Sequence, residues 1–145
     1  VAPPRHVHGK LPKPAAIARA IADFPSRQPM NRINHSTHAA GFASLGGEIA
    51  LVREDVGRHN ALDKLIGAML RGAVDPRSGF VLVSSRCSME LVQKAAVAGA
   101  PLLASVSAPT ALAVRLAETA GMGLAARSPE GIMLFAAAAQ RGKTT

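Results

Sequence analysis

Gly79-Phe80-Val81-Leu82-Val83-Ser84-Ser85-Arg86-Cys87-Ser88-Met89-Glu90-Leu91-Val92-Gln93-Lys94-Ala95 reads as a strand, a polar loop and a helix in succession. Phe80 to Val83 is a short, wholly apolar run, as expected of a strand covered on both faces. A helix over 88–98 follows and ends at Gly99. The same grammar repeats downstream. Leu102 to Val106 is a second buried strand, 110–120 a helix closed by Gly121, and Ile132-Met133-Leu134-Phe135 a final strand. Strands alternating with helices at this spacing predict parallel crossovers on one sheet.

Upstream, Pro14 opens a short helix over 14–24 with Ile17, Ala20, Ile21 and Phe24 on one face; Pro25 and Pro29 stop it. Two strands, about 37–44 and 48–54, are joined by Leu45-Gly46-Gly47, a hairpin signal. A helix over about 57–71 carries Leu62, Leu65, Ile66 and Met69 on one face and is closed by Gly72. The whole order predicts an α/β fold, a three-layer α/β/α sandwich on a mixed sheet. We expect a linker or arm over 1–13, one domain over 14–140 and a basic tail over 141–145.

The chain has 145 residues, 48% of them hydrophobic. A domain of about 150 residues buries close to 70% of its unfolded surface, enough for a proper core. No apolar run approaches the roughly 20 residues that span a bilayer, and no signal-peptide pattern opens the chain, so neither membrane insertion nor export is expected. A single cysteine precludes an internal disulfide and is compatible with the cytoplasm. The chain starts on Val1, and Pro3-Pro4-Arg5-His6-Val7-His8-Gly9-Lys10 reads as linker, so a fragment with a missing upstream part is expected.

The net charge is +8. Residues 1–35 hold six Lys/Arg against one acid, residues 36–140 nine against eight, and Arg141 and Lys143 complete the excess. Basicity therefore sits at the ends, whereas a nucleic-acid binder usually shows a basic face on its folded part. With no Trp or Tyr and only four Phe, a base-stacking platform is poorly supplied. No nucleic-acid partner is expected. The arm suits an anionic ligand or partner protein, or serves as a solubilising linker.

Glu54-Asp55-Val56-Gly57-Arg58-His59 packs two acids and two basic groups against a helix start. Arg58 and His59 are cations where the helix dipole disfavours them, so Glu54, Asp55 or an anionic ligand must compensate; ordinary capping and surface pairing is the bland alternative. In parallel sheets ligands bind beyond the carboxyl ends of strands. There Ser84, Ser85 and Arg86 precede one helix, and Ser107 and Thr110 the next. Hydroxyls, helix N-termini and a guanidinium suit phosphate or another anion. Equally, Ser88 and Thr110 are good N-caps. Cys87, beside Arg86 at a helix start, is either an activated thiol or a packed small residue.

Three blocks, EDVGRHNALDK over 54–64, SSRCSMELVQKA over 84–95 and SVSAPTALAV over 105–114, are long, ordered and evenly spaced. They resemble the formate dehydrogenase accessory protein family, FdhD, over roughly residues 25–135. The resemblance implies a cytidine-deaminase-like fold and a cytoplasmic homodimeric sulfurtransferase. Such a protein takes persulfide sulfur from a cysteine desulfurase and passes it to the molybdenum bis(molybdopterin guanine dinucleotide) cofactor of formate dehydrogenase. It makes Arg58, His59, Ser84, Ser85, Arg86, Ser107 and Thr110 cofactor contacts, with His38 matching the family's His-Ala-Ala. It places a nucleotide-binding stretch at Arg127, Ser128, Pro129, Glu130, Gly131 and Ile132. Gly131 is kept there, while Arg127 stands at an aromatic position and Glu130 would face a polyanion.

The family's persulfide loop, of Cys-x-x-Cys type, would fall near or before Val1 and is not in this chain. No catalytic residue is therefore assigned, and whether these residues act as an enzyme stays open. The alternative is a non-catalytic cofactor-binding or chaperone module for a molybdoenzyme. The zinc deaminases that share the fold use His-x-Glu and Pro-Cys-x-x-Cys. His59-Asn60-Ala61 and Cys87-Ser88-Met89-Glu90 lack the Glu and the second Cys, so neither zinc nor deamination is expected. His35 and His38 lack a further ligand nearby in sequence, so a metal is not expected there either.

Overall fold

The structure, a computed structural model, describes residues 9–136. The expected basic tail and the first eight residues of the expected arm lie outside them. The elements are α1 (Pro14–Asp23), a 3-10 turn (Phe24–Arg27), α2 (Pro29–Asn34), β1 (His38–Ser44), β2 (Ile49–Asp55) and α3 (Arg58–Arg71). After a second 3-10 turn (Pro76–Ser78) come β3 (Gly79–Val83), α4 (Met89–Val97), β4 (Leu102–Ser105), α5 (Ala111–Ala120), β5 (Gly123–Ser128) and β6 (Gly131–Ala136).

The sheet order is β2-β1-β3-β4-β5-β6. Strands β3, β4 and β5 run parallel; β1 pairs antiparallel with both β2 and β3, and β6 antiparallel with β5. Alternate side chains of β3 separate the layers, since successive strand residues face opposite sides. Phe80 and Leu82 pack with Ile17, Ile21 and Phe24 on the α1 side. Val81 and Val83 pack with Leu62 and Leu65 of α3, Leu91 of α4 and Ala117 of α5 on the other. Each fully buried leucine contributes about 1.5–3 kcal/mol of burial. The mixed sheet between two helical layers agrees with the sequence reading.

Three expectations need correction. The strand after α5 is β5, not the run at 132–135, which is β6 returning antiparallel. Gly-Leu-Ala-Ala-Arg-Ser is poor in β-branched residues and escapes notice as a strand. The stretch between Pro25 and the first strand holds a 3-10 turn and α2, a helix with no buried residue. The expected linker also enters the fold early: Pro12 is buried and Leu11 packs against the α1-side cluster. Gly79 starts β3 so close to β1 that a Cβ there would overlap the Ala43 carbonyl.

Strand β2 lies at the sheet edge, and cations meet its carbonyls. Arg27 Nη1 donates to Ile49 O at 3.1 Å, Arg53 Nη1 to Val52 O at 2.8 Å and Lys64 Nζ to Glu54 O at 3.1 Å. Among the described residues no helix is long and apolar enough to cross a membrane.

Candidate functional site at one sheet edge

The topology gathers the sequence candidates at one edge. Strands β3, β4 and β5 end there at Val83, Ser105 and Ser128, and the opposed β1 and β6 begin there at His38 and Gly131. His38 lies opposite Asp55, the last residue of β2. The starts of α3, α4 and α5 follow directly from the ends of β2, β3 and β4.

The loops after β3 and β4 form one connected floor. Ser105 Oγ donates to Ser85 O at 2.7 Å and accepts from Ser107 N at 3.1 Å. Thr110 N donates to Cys87 O at 3.1 Å, and Arg86 Nε to Ala108 O at 3.1 Å. Ser88 and Thr110 cap their helices, accepting from Leu91 N and Ala113 N. Ser84 continues the β1–β3 ladder: its N donates to Ala39 O at 3.0 Å and its Oγ accepts from Ala39 N at 2.8 Å. The hydroxyls of Ser84 and Thr110 are thus engaged within the fold, while Ser107 and Arg86 are exposed. Ser85 differs from its neighbours. Its Oγ is buried with no hydrogen-bond partner among the described residues. Such a group costs about 1–3 kcal/mol of desolvation until something pairs with it.

The charged stretch divides into two parts. Glu54 accepts from Met30 N and Asn31 N, both at 2.9 Å, and from Thr37 Oγ1 at 3.3 Å, clamping α2 to the sheet. Asp55 accepts from Gly57 N at 2.9 Å and pairs with Lys64 at 2.7 Å. The Lys64 ammonium, then the Gly57 N–H, hold its carboxyl at about 2. The fold therefore occupies both acids. The side chains of Arg58 and His59 make no hydrogen bond or ion pair among the described residues. Glu90, at the start of α4, is held below the usual carboxylate range by its own N–H and Ser88, and further by the charges of His59 and Arg58.

Cys87 is not an activated thiol. It is 1% exposed, and burial pushes its pKa up to about 12 against a smaller opposing effect of its hydrogen bond with Ser105. The closeness of Arg86 in sequence does not bring charge to the sulfur: the guanidinium turns to Ala108.

The stretch 127–132 is a hairpin turn. Ser128 Oγ donates to Gly131 O at 3.0 Å, Gly131 adopts φ 122°, and Arg127, Pro129 and Glu130 are exposed at the tip. Ile132 packs into the α1-side cluster. Sequence reasoning missed Ser105, which is fully buried and links both loops. Its signal was a hydroxyl closing a wholly apolar strand. Among the described residues no group of three or more His, Cys, Asp or Glu could hold a metal ion.

This arrangement has relatives. The family model described as FdhD/NarQ family matches residues 2–141. The chain belongs to the FdhD/NarQ family. The sulfur carrier protein FdhD of Bordetella petrii is 55% identical over 109 residues, covering 75% of this chain and 39% of the relative. That of Xanthomonas campestris pv. campestris is 56% identical over 109 residues, with the same coverage. In crystal form, a protein described as a formate dehydrogenase accessory protein from Desulfotalea psychrophila superposes with a TM-score of 0.79 at 32% identity. That match covers 91% of this chain and 56% of the other. The FdhD/NarQ domain seen here thus spans about two fifths of the length of the curated relatives it matches.

Proposed function

We propose that this sheet edge binds molybdenum bis(molybdopterin guanine dinucleotide) as a substrate, through its guanine nucleotide part, on behalf of formate dehydrogenase. The observation that carries the reading is the unpaired, buried Ser85 Oγ in a floor built from the starts of two helices. Arg58 and Arg86 supply positive charge along the same edge, His59 supplies a ring N–H, and helix N-termini favour anions. The relatives' names, sulfur carrier and formate dehydrogenase accessory protein, agree with such a substrate. On this reading a cysteine desulfurase is the sulfur source, and the working protein is a cytoplasmic homodimer.

Titration calorimetry of the 145-residue chain with GDP and ADP tests it. GDP should bind more tightly than ADP. Absence of GDP binding, or equal affinity for the two, would remove the guanine-nucleotide assignment.

A second reading, a binding or chaperone module that carries no sulfur itself, is favoured by Cys87. It is the one thiol of these 145 residues, and it is buried and protonated at neutral pH. Persulfide transfer needs an accessible thiolate. Sulfur carriage in a full-length carrier would then fall to a thiol outside these residues.

A further inference from the structure

Strand β2 is the outer strand of the sheet, and a depression of about 490 Å3 lies along it between α2 and α3. Met30, Leu51 and Val52 give it an apolar lining, and Arg27, Arg53 and Lys64 border it. Lys64 is already paired with Asp55. Glu54 also lines the depression, but its carboxylate is engaged by the α2 amides. Arg27 and Arg53 form no ion pair among the described residues, and no Asp or Glu occurs from residue 24 to residue 47. The excess positive charge of this edge is therefore theirs.

The backbone indicates what the depression accepts. Ala39 directs its N–H and C=O toward Ser84, beside β3, so the next residue, Ala40, faces β2 and pairs there with Arg53. By the same alternation Val52 and Glu54 turn their N–H and C=O groups outward. The outward carbonyls of Ile49, Val52 and Glu54 are taken by Arg27, Arg53 and Lys64. A guanidinium has five N–H donors, and Arg27 and Arg53 each spend one on a carbonyl. What this edge still presents is donors: backbone N–H groups and the rest of two guanidinium forks. Its chemical complement is a group that only accepts and carries negative charge, the ionised carboxylate.

We propose that the β2 edge is a docking site for an extended acidic segment of a partner protein, held through Asp or Glu side chains at alternate positions. The spacing agrees. Val52 and Glu54 are two residues apart, about 6.8 Å along a strand, and alternate side chains of an extended segment share one face at that same repeat. The methylene groups of those acids cover Met30 and Val52, while their carboxylates meet the Arg27 and Arg53 forks and the outward N–H groups. Both guanidiniums are already fixed on carbonyls, so little of their freedom is lost when a carboxylate arrives. Strand β2 ends at Asp55, opposite His38, so a partner held along it is brought to the candidate site.

The test uses the whole chain and a fluorescein-labelled peptide of alternating Glu and Ala, followed by fluorescence anisotropy. The peptide should bind saturably, and its Gln-for-Glu counterpart should not. Arg27→Gln combined with Arg53→Gln should weaken binding by about tenfold or more. Arg71→Gln combined with Arg115→Gln removes the same charge from exposed positions of α3 and α5 and should change affinity by less than about twofold. Should the first pair disturb the fold, the wild-type chain still decides the matter: in an isotope-labelled sample the peptide should shift the amide resonances of Val52 and Glu54. Absence of binding, equal weakening by the two double variants, or amide shifts that bypass Val52 and Glu54 would each overturn the proposal. Tighter binding of a single-stranded oligothymidylate, with shifts at the same two amides, would assign the edge to nucleic acid and overturn it as well.

Discussion

The Lys64 ammonium lies 2.7 Å from Asp55 Oδ2 and 3.1 Å from the Glu54 carbonyl oxygen, tying the end of β2 to the second turn of α3. The folded carboxyl of Asp55, at about 2, binds protons less readily than an ordinary one at 3.8. The pair's contribution to stability is therefore complete above about pH 4 and is lost as pH falls through about 2. Thermal denaturation of wild type and Lys64→Met between pH 2 and 6 should show that the variant loses part of this acid dependence. Identical pH profiles would remove the pair from the stability argument.

Glu54 does a different job from its neighbour. Helix α2 buries no residue, so the two hydrogen bonds from its Met30 and Asn31 amides to the Glu54 carboxylate hold it. In Glu54→Gln one oxygen is replaced by an NH2 group that cannot accept an N–H. Hydrogen exchange at Met30 and Asn31 should accelerate about tenfold or more, equivalent to about 1.4 kcal/mol. Amides of β3 and β4 should be unchanged. Unaltered exchange at Met30 and Asn31 would show that something else anchors α2.

The side chains of Arg58 and His59 make no hydrogen bond or ion pair among the described residues that their loss would break. Arg58→Ala and His59→Ala should keep the melting temperature within the small change usual for surface positions, about 0.5 kcal/mol. Both should impair delivery in a formate dehydrogenase activation assay with the full-length protein. Loss of stability with retained activity per folded molecule would make them structural.

For Arg86 the readout is GDP affinity. If the guanidinium makes a charge-assisted phosphate contact, Arg86→Ala should cost about 1.5–3 kcal/mol, roughly ten- to hundredfold in Kd. Unchanged affinity would confine Arg86 to its bond with the Ala108 carbonyl.

Cys87 should be chemically silent. The native chain should not react with a thiol reagent at neutral pH on a timescale at which the denatured chain reacts completely. Incubation with a cysteine desulfurase and cysteine should add no sulfur to it. A mass increase of one sulfur atom on Cys87 would make it a carrier after all.

Much of this architecture was legible because its periodicities are strong. The helix read over 57–71 is Arg58–Arg71, and the strands read at 37–44 and 48–54 are His38–Ser44 and Ile49–Asp55. What escaped depends on contacts distant in sequence. Helix α2 buries none of its residues and is held by Glu54, twenty-three residues beyond Asn31. Strand β5 is alanine-rich, and its place is set by β4 and β6 on either side. For the candidate site, strand ends pointed to the loops after β3 and β4, yet residue types alone could not tell Ser84 and Thr110, whose hydroxyls are engaged, from Ser85, whose hydroxyl has no partner among the described residues. The cysteine was ambiguous for the same reason: its depth in the core, not its sequence neighbours, decides its acidity.

The cations along β2 also bear on how the protein behaves when crowded. An exposed strand is a template on which another chain can add by backbone pairing, the first step toward aggregates. An incoming strand at β2 would have to displace Arg27, Arg53 and Lys64 from the carbonyls of Ile49, Val52 and Glu54 and bring its own N–H groups among three positive charges. Replacing these three side chains with uncharged ones should raise the tendency to aggregate at high concentration, even where the fold itself is untouched.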